Sequence, residues 1–382
     1  MQNRLRHFSV FYFFYYAALG AYTPYIGRWV DSLGFSGYVV ATMLVLWYAG
    51  RIIGPLAWNN WIERSNNPGY WFVVGSVITM LCFAGFTLSK TAPQLFIVMA
   101  LLGLFYNAIM PQFEAMTLTA LGDDTHQYGR IRIWGSVGFL IVASSYGKLL
   151  DHFGNKAFPW LTLPIFLAMV LAAWPHRLDP APIAEKSRVR IIELWHRPGV
   201  PLFLCVVLLA QVGFGAFYVF YTLHLQAHGH NGAHIGILWG LGVLIEIAMF
   251  WQAPKLISRF GADRLMIFCL LLTSLRWVVT ALYADNFAIM LIAQTTHAFG
   301  FAVFHSCCMK KISGFFPNHL AKAGQSLMFG FSSGVGGVIG AGMASLMWDL
   351  GKGQAAFLAC AIVALFAGLL YWHGIHRKKR HT

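Results

Sequence analysis

Long apolar runs separated by short polar turns make up nearly the whole chain. The runs have the length of bilayer spans, since a hydrocarbon core about 30 Å thick takes about 20 residues of helix to cross. The pattern predicts spans at about 7–25, 38–61, 70–89 and 93–121, a fifth from about 127 and a sixth ending at Trp174. A second set follows at about 200–227, 234–258, 262–283, 287–313, 321–348 and 355–373. Gly20 and Pro24 mark a bend in the first span. The one long hydrophilic stretch, 176–199, carries Arg177, Lys186, Arg188, Arg190 and Arg197 and divides the runs evenly. The expected fold is therefore an all-α membrane protein with about 12 transmembrane helices in two six-helix bundles. The first bundle covers 1–175, a cytoplasmic linker 176–199, and the second bundle 200–382 with a basic tail at 377–380.

Composition excludes an ordinary soluble domain, with 58% hydrophobic and 10% charged residues and a mean hydropathy of +0.62. The net charge of +14 needs no nucleic acid to explain it. With the N-terminus inside, Arg28, Lys90, Lys148, Lys156 and Lys352 fall outside, Arg51, Arg132 and Arg276 fall within spans, and the remaining Lys and Arg fall inside, as the positive-inside rule requires. The expected location is a bacterial inner (plasma) membrane, multi-pass, with both termini cytoplasmic. The first segment reads as a retained span rather than a cleaved signal. The six cysteines lie in apolar segments without metal-ligand spacing and read as packing residues without a disulfide.

Chemistry enters through charges that hydrocarbon should exclude. Glu246, Arg276 and His297 each sit inside a separate apolar run. Measured from their turns, all three fall roughly 18 to 24 Å deep, in one layer. Each buried charge costs at least about 2.5 kcal/mol, so such groups persist where they pair or line an aqueous route. A static ion pair is the plain alternative, although a clamp needs no histidine. In the first half, Glu114 and Arg132 lie equally far from Asp123 on opposite sides of a turn, so a hairpin sets them face to face. Phe139 shares the helix face of Arg132 and offers a stacking surface. Structural pairing of two helices is again the alternative. One pair in each half suggests a shared cavity. Together with Arg51, the site offers more positive than negative charge beside many aromatics. That suits an anionic aromatic solute held by arginine and by Phe139, Trp134 or Tyr218.

Certain motifs are similar to known ones. Gly20, Ala21, Tyr22, Thr23, Pro24 and Tyr25 resemble the first helix of the lactose permease group. Pro111 and Glu114, then Tyr128, Gly129, Arg130, Arg132, Trp134 and Gly135, match its P-x-x-E and [FY]-G-[RK]-x-R-x-[FW]-G patterns. Ala253, Pro254, Ser258, Arg259, Phe260 and Gly261 resemble an inner loop of that group, with Glu63 and Arg64 as a degenerate counterpart. Gln211, Tyr218, Phe220, Gln226, Ala227 and Gly229 are similar to the phenylpropionic acid transporter family. The chain thus resembles the major facilitator superfamily. The resemblance implies alternating access, proton symport and sugar-binding roles for Glu114 and Arg132. It also departs from the lactose permease. His297 is followed by Ala298, Phe299 and Gly300, so the glutamate that carries the proton there is missing, and Glu246 inherits that role. Glu246 lies about one turn nearer Ala253 and Pro254, and the aspartates of the seventh helix and the lysine of the eleventh are absent.

The functional expectation is proton-coupled uptake of a small organic solute. Glu246, Arg276 and His297 would serve coupling, and Glu114, Arg132, Phe139, Trp134, Tyr218 and Arg51 would bind the solute. A 3-phenylpropionate-like acid is favoured over a sugar or glycoside; an uncoupled facilitator, a nucleoside transporter and a receptor stay open. No enzyme is expected, since no nucleophile or H-E-x-x-H constellation occurs. No cofactor beyond the proton is expected, the partners are the solute and the lipid bilayer, and a monomer suffices. His224, His228, His230 and His234 leave a zinc site conceivable. His305 reads as core, Phe220 and Tyr221 as possible cavity residues, and Gly330, Gly334, Gly336, Gly337, Gly340 and Gly342 as a close-contact face.

Overall fold

The computed structural model describes residues 2–62, 65, 67–122, 124–179, 195–316 and 320–380. Among them all regular structure is helical: α1 (Gln2–Ser32), α2 (Gly37–Ile62), α3 (Pro68–Ala84), α4 (Ala92–Leu121), α5 (Tyr128–Phe153) and α6 (Phe158–Ala173), then α7 (Val200–Val212), α8 (Gly215–Ala227), α9 (Gly232–Phe260), α10 (Ala262–Leu282), α11 (Phe287–Thr295), α12 (Phe304–Phe315), α13 (Ala321–Phe329) and α14 (Gly337–Arg380). Two π-helical segments, Phe299–Val303 and Gly330–Gly336, connect α11 to α12 and α13 to α14.

Among the described residues, ten stretches are long and apolar enough to cross a membrane. The last, Ala323–His376, runs to 54 residues and contains a break at Gly351 and Lys352. Lys352 has φ 53°, a strained value for a side-chain-bearing residue, and it falls between the spans expected at 321–348 and 355–373. Helix α1 is longer than expected at both ends and continues through Pro24. Its packed face goes on beyond the proline through the buried Tyr25, Ile26, Trp29 and Val30. Local signals set several ends. Thr91 and Gln94 form a capping box at the start of α4, the Asn286 side chain accepts from the Ile289 N–H at α11, and Gly261 at φ 80° ends α9.

The chain forms two compact units, Met1–Glu185 with Asn231–Ile237, and Lys186–His230 with Leu238–Thr382. Most of the expected linker, 180–194 with Lys186, Arg188 and Arg190, lies outside the described residues, as do Glu63, Arg64 and Asp123. In the first unit α1 packs on α5 and α2 on α4. A Cβ at Gly20 would stand 2.8 Å from the Phe139 carbonyl oxygen, and one at Gly138 would collide with the backbone of Phe13. Only glycine permits this approach. In the same unit Phe11, Phe72 and Phe113 form a ring cluster with centroids 4.3 to 5.0 Å apart, Phe72 stacked on Phe113 and Phe11 edge-on to Phe72. Tyr15 and Tyr106 each donate a hydroxyl hydrogen to the other's carbonyl, at 3.0 and 2.6 Å.

The core of the second unit includes Phe203, Met266, Cys269, Cys307 and Cys308. All six cysteines are free, and Cys205 is exposed rather than packed. Of the glycines expected to form a contact face, Gly336 and Gly340 do lie against α7, where a Cβ would stand 2.9 Å from the Leu208 oxygen and 3.0 Å from the Val212 backbone, whereas Gly330 and Gly342 face open space. Because backbone cannot yield, Gly138→Leu should cost more than the 1–3 kcal/mol typical of overpacking. The expected result is loss of the monodisperse peak in detergent size-exclusion chromatography. An unchanged peak and melting temperature would show that α1 and α5 have room to separate.

Candidate functional site

The second unit brings Glu246, Arg276 and His297 together. Arg276 on α10 is 3% exposed, and its guanidinium donates to His297 Nδ1 at 2.9 Å and to Gln294 Oε1 at 2.8 Å. It also lies over the rings of Trp277 and Phe217, at 4.1 and 4.8 Å. Its Nε has no hydrogen-bond partner among the described residues. Arginine has only donors, so Nδ1 of His297 accepts, and the ring hydrogen of the neutral imidazole sits on Nε2. That nitrogen faces Glu246 Oε2 at 3.8 Å. The order Arg276, His297, Glu246 therefore fixes the tautomer and points one exchangeable hydrogen at the carboxylate.

Two neighbours complete this arrangement. Gln294, buried at the end of α11, accepts a second hydrogen bond from the Tyr221 hydroxyl at 3.3 Å. On α9, a Cβ at Gly242 would meet Gln294 Nε2 at 2.5 Å and His297 Cδ2 at 3.3 Å, so glycine there lets α9 approach. Neither residue was picked out from the sequence. Gln294 precedes His297 by one helical turn and Gly242 precedes Glu246 by one, so each shares its partner's helix face.

In the first unit the Glu114 carboxylate lies 3.7 Å from Arg132 Nε, with the side chains 39% and 29% exposed. The Arg132 guanidinium also donates to the Tyr16 hydroxyl and lies 4.1 and 5.3 Å over the rings of Tyr16 and Tyr12. This loose, accessible pair on aromatic faces differs from a dry interhelical clamp. Arg51 donates from Nε to Asn107 Oδ1 at 3.3 Å and lies 5.7 Å over Tyr48. The structure does not bring Trp134 to the pair. Two positions on from Arg132, it falls on the opposite side of α5 and is 48% exposed. Phe139 is half-buried, its backbone engaged against Gly20.

A family model described as the MFS_1 like family matches residues 5–359. The chain belongs to this family. It is accordingly a multi-pass membrane transporter of the major facilitator kind. A probable 3-phenylpropionic acid transporter of Escherichia coli K12 is 25% identical over 313 residues, covering 81% of this chain and 82% of the relative. A maltose permease of Geobacillus stearothermophilus is 24% identical over 372 residues, covering 95% and 93%. The fold matches a crystal structure of the nucleoside transporter NupG (D323A mutant) with a TM-score of 0.88 at 13% identity, over 97% of this chain and 99% of that one.

Within this family member other expectations change. Of the four histidines read as a conceivable zinc site, three bond to backbone: His224 to the Thr280 oxygen, His228 to the His224 oxygen and His230 to the Ala284 oxygen, at 2.6 to 2.9 Å. No metal-capable cluster of three occurs among the described residues. Phe220 stacks on Trp348 at 4.1 Å and Tyr221 is tied to Gln294, while Tyr218 borders a cavity. His305, expected in the core, is half-buried and borders that cavity too. Gly300, where a permease glutamate was missed, opens into a π-helical turn, and a Cβ there would collide with the Thr273 hydroxyl. A side chain at this position would have to displace the Thr273 hydroxyl and crowd the Phe214 ring.

Proposed function

We propose that this transporter is a proton-coupled symporter for uptake of a small aromatic carboxylate, built from about 12 spans. The count takes α1 as a span and divides the long last stretch at Gly351 and Lys352. Glu246 is the proton carrier, and Arg276 and His297 govern when it holds the proton. Arg132, with Glu114 beside it, meets the solute, and Arg51 adds positive potential. The observation that carries this reading is the chain of contacts from Arg276 through His297 to Glu246. A buried guanidinium whose hydrogen bonds go to neutral acceptors, with a carboxylate one ring away, is an expensive arrangement for structure alone. A carboxylate solute is supported by the excess of arginine, by the tyrosine faces around Arg132, and by the relative described as a probable 3-phenylpropionic acid transporter.

A sugar:proton symporter is the second reading. The maltose permease relative spans more of the chain, and a carboxylate beside a guanidinium binds hydroxyls well. Competition for uptake by 3-phenylpropionate, its neutral amide and a set of glycosides decides between them. The acid is expected to compete at least tenfold better than the amide. Equal competition by acid and amide, or competition by glycosides alone, would overturn the carboxylate reading. The proton part has its own test in uptake with and without an imposed proton gradient.

A further inference from the structure

The second unit contains a cavity of about 180 Å³ with several aromatic residues in its walls. Phe214, Tyr218, Phe250, Phe301 and Phe329 line it, and His305 and Ser333 supply polar edges. An apolar cavity of about 150 Å³ is enough to hold a benzene ring. Both π-helical segments border the space, Gly300 and Phe301 from one and Ser332 and Ser333 from the other. Such turns are rare and concentrate at functional sites.

The π turn also changes the register of the helix. His297 and His305 stand eight positions apart, which in a regular α-helix leaves them about 80° apart around the axis. A π turn absorbs one residue, so the effective spacing is about seven and the offset falls to roughly 20°. Both histidines thus look out from one side. Between them, Phe301 stacks on His297 at 6.0 Å and 20°, and Phe214 meets the same imidazole edge-on at 6.0 Å. These two rings are at once walls of the cavity and neighbours of the relay. His305 touches Phe250 and Phe329, with centroids at 6.3 and 5.8 Å, and makes no hydrogen bond among the described residues. An imidazole held by rings on the cavity wall, with its polar edge unused, is placed to bond a solute.

We infer that this cavity is the subsite for the planar ring of the solute, that His305 makes the polar contact fixing its orientation, and that Phe214 and Phe301 transmit occupancy to His297. The inference deepens the aromatic-solute reading and rests on it. A ring inserted here presses on Phe214 and Phe301, two of the three phenylalanines packed around the His297 imidazole, the third being Phe217 at 5.1 Å. The orientation of Nε2 towards Glu246 then depends on whether the subsite is filled.

The test uses reconstituted full-length protein with 3-phenylpropionate, phenyl β-glucoside and methyl β-glucoside as probes. Ser333→Phe, which fills the cavity, should raise the KM for 3-phenylpropionate at least tenfold. His305→Ala should raise it several-fold with kcat little changed, and His305→Gln, which keeps a hydrogen-bonding edge, should recover most of the loss. Independently, phenyl β-glucoside should compete at least tenfold better than the methyl compound, and Ser333→Phe should erase that preference. Wild-type KM in both Ser333→Phe and His305→Ala, or equal competition by the two glucosides, overturns the subsite. If Ser333→Phe fails to elute as the parent does, the His305 pair and the glucoside comparison decide. If 3-phenylpropionate is not carried but the phenyl preference exists and His305→Ala removes it, the carboxylate reading falls and the subsite stands.

Discussion

Glu246→Gln will abolish accumulation of solute against its gradient while leaving counterflow exchange between equally loaded sides of a vesicle. Glutamine keeps the size of the side chain and a hydrogen-bonding group opposite His297 Nε2, which lies 3.8 Å from the carboxylate. What it loses is the capacity to take up and release a proton. Exchange requires only that the loaded protein reorient, and a permanently neutral side chain mimics the protonated state. Net uphill transport needs the proton to leave on the inner side, and that step disappears. A positioned proton-transfer group is worth about 10²–10⁴ in rate, so the accumulation ratio should fall to unity even where exchange stays within a few-fold of the parent. Continued accumulation by Glu246→Gln would remove this residue from the coupling mechanism.

The second large effect is expected at Arg276, and it separates a coupling role from a structural one. Arg276→Met keeps an unbranched stem between Trp277 and Phe217 but removes the donors to His297 Nδ1 and Gln294 Oε1. Among the described residues no carboxylate lies within ion-pair distance of Arg276, so its removal strands no partner charge. The cost of leaving His297 Nδ1 without its donor is offset by removal of a buried guanidinium, so the melting temperature should change little. Coupled uptake should nevertheless fall by about 100-fold, because nothing then holds the Nε2–H tautomer towards Glu246. His297→Asn should produce a similar loss, and the double variant should be little worse than either single one, since residues acting as one unit do not add. A fall in melting temperature that matches the fall in uptake, with additive single effects, would make Arg276 a helix clamp instead.

Part of the site was legible because membranes punish charge. Few acidic side chains fall inside apolar runs, so Glu114 and Glu246 stand out in the sequence, and simple counting from turns sets them opposite Arg132 and near Arg276 and His297. That counting worked because helices in a bilayer have a uniform rise and a common thickness to cross. It failed where the relevant quantity was angle rather than depth. Trp134 shares a motif with Arg132 but, two positions away, leaves on the other side of α5. His305 read as core because its surroundings are apolar, yet the π turn before it rotates it to the cavity wall. Gly242, Gln294 and Tyr16 carry no charge, and nothing in composition marks them.

From the sequence alone came a multi-pass helical transporter, the buried charges that stand near one another in each half, and part of one glycine face, Gly336 and Gly340. These follow from one-dimensional quantities: hydropathy, run length and the distance of a residue from the nearest turn. Tertiary structure alone decided which face each residue occupies, which nitrogen of His297 accepts from Arg276, and that rings rather than charges line the cavity beside it. Those outcomes depend on rotation about helix axes and on contacts between segments far apart in the chain, Arg276 with His297 and Phe217 with both. Two π turns, each shifting the register by about one residue, are enough to reassign a face, and hydropathy cannot register such a shift.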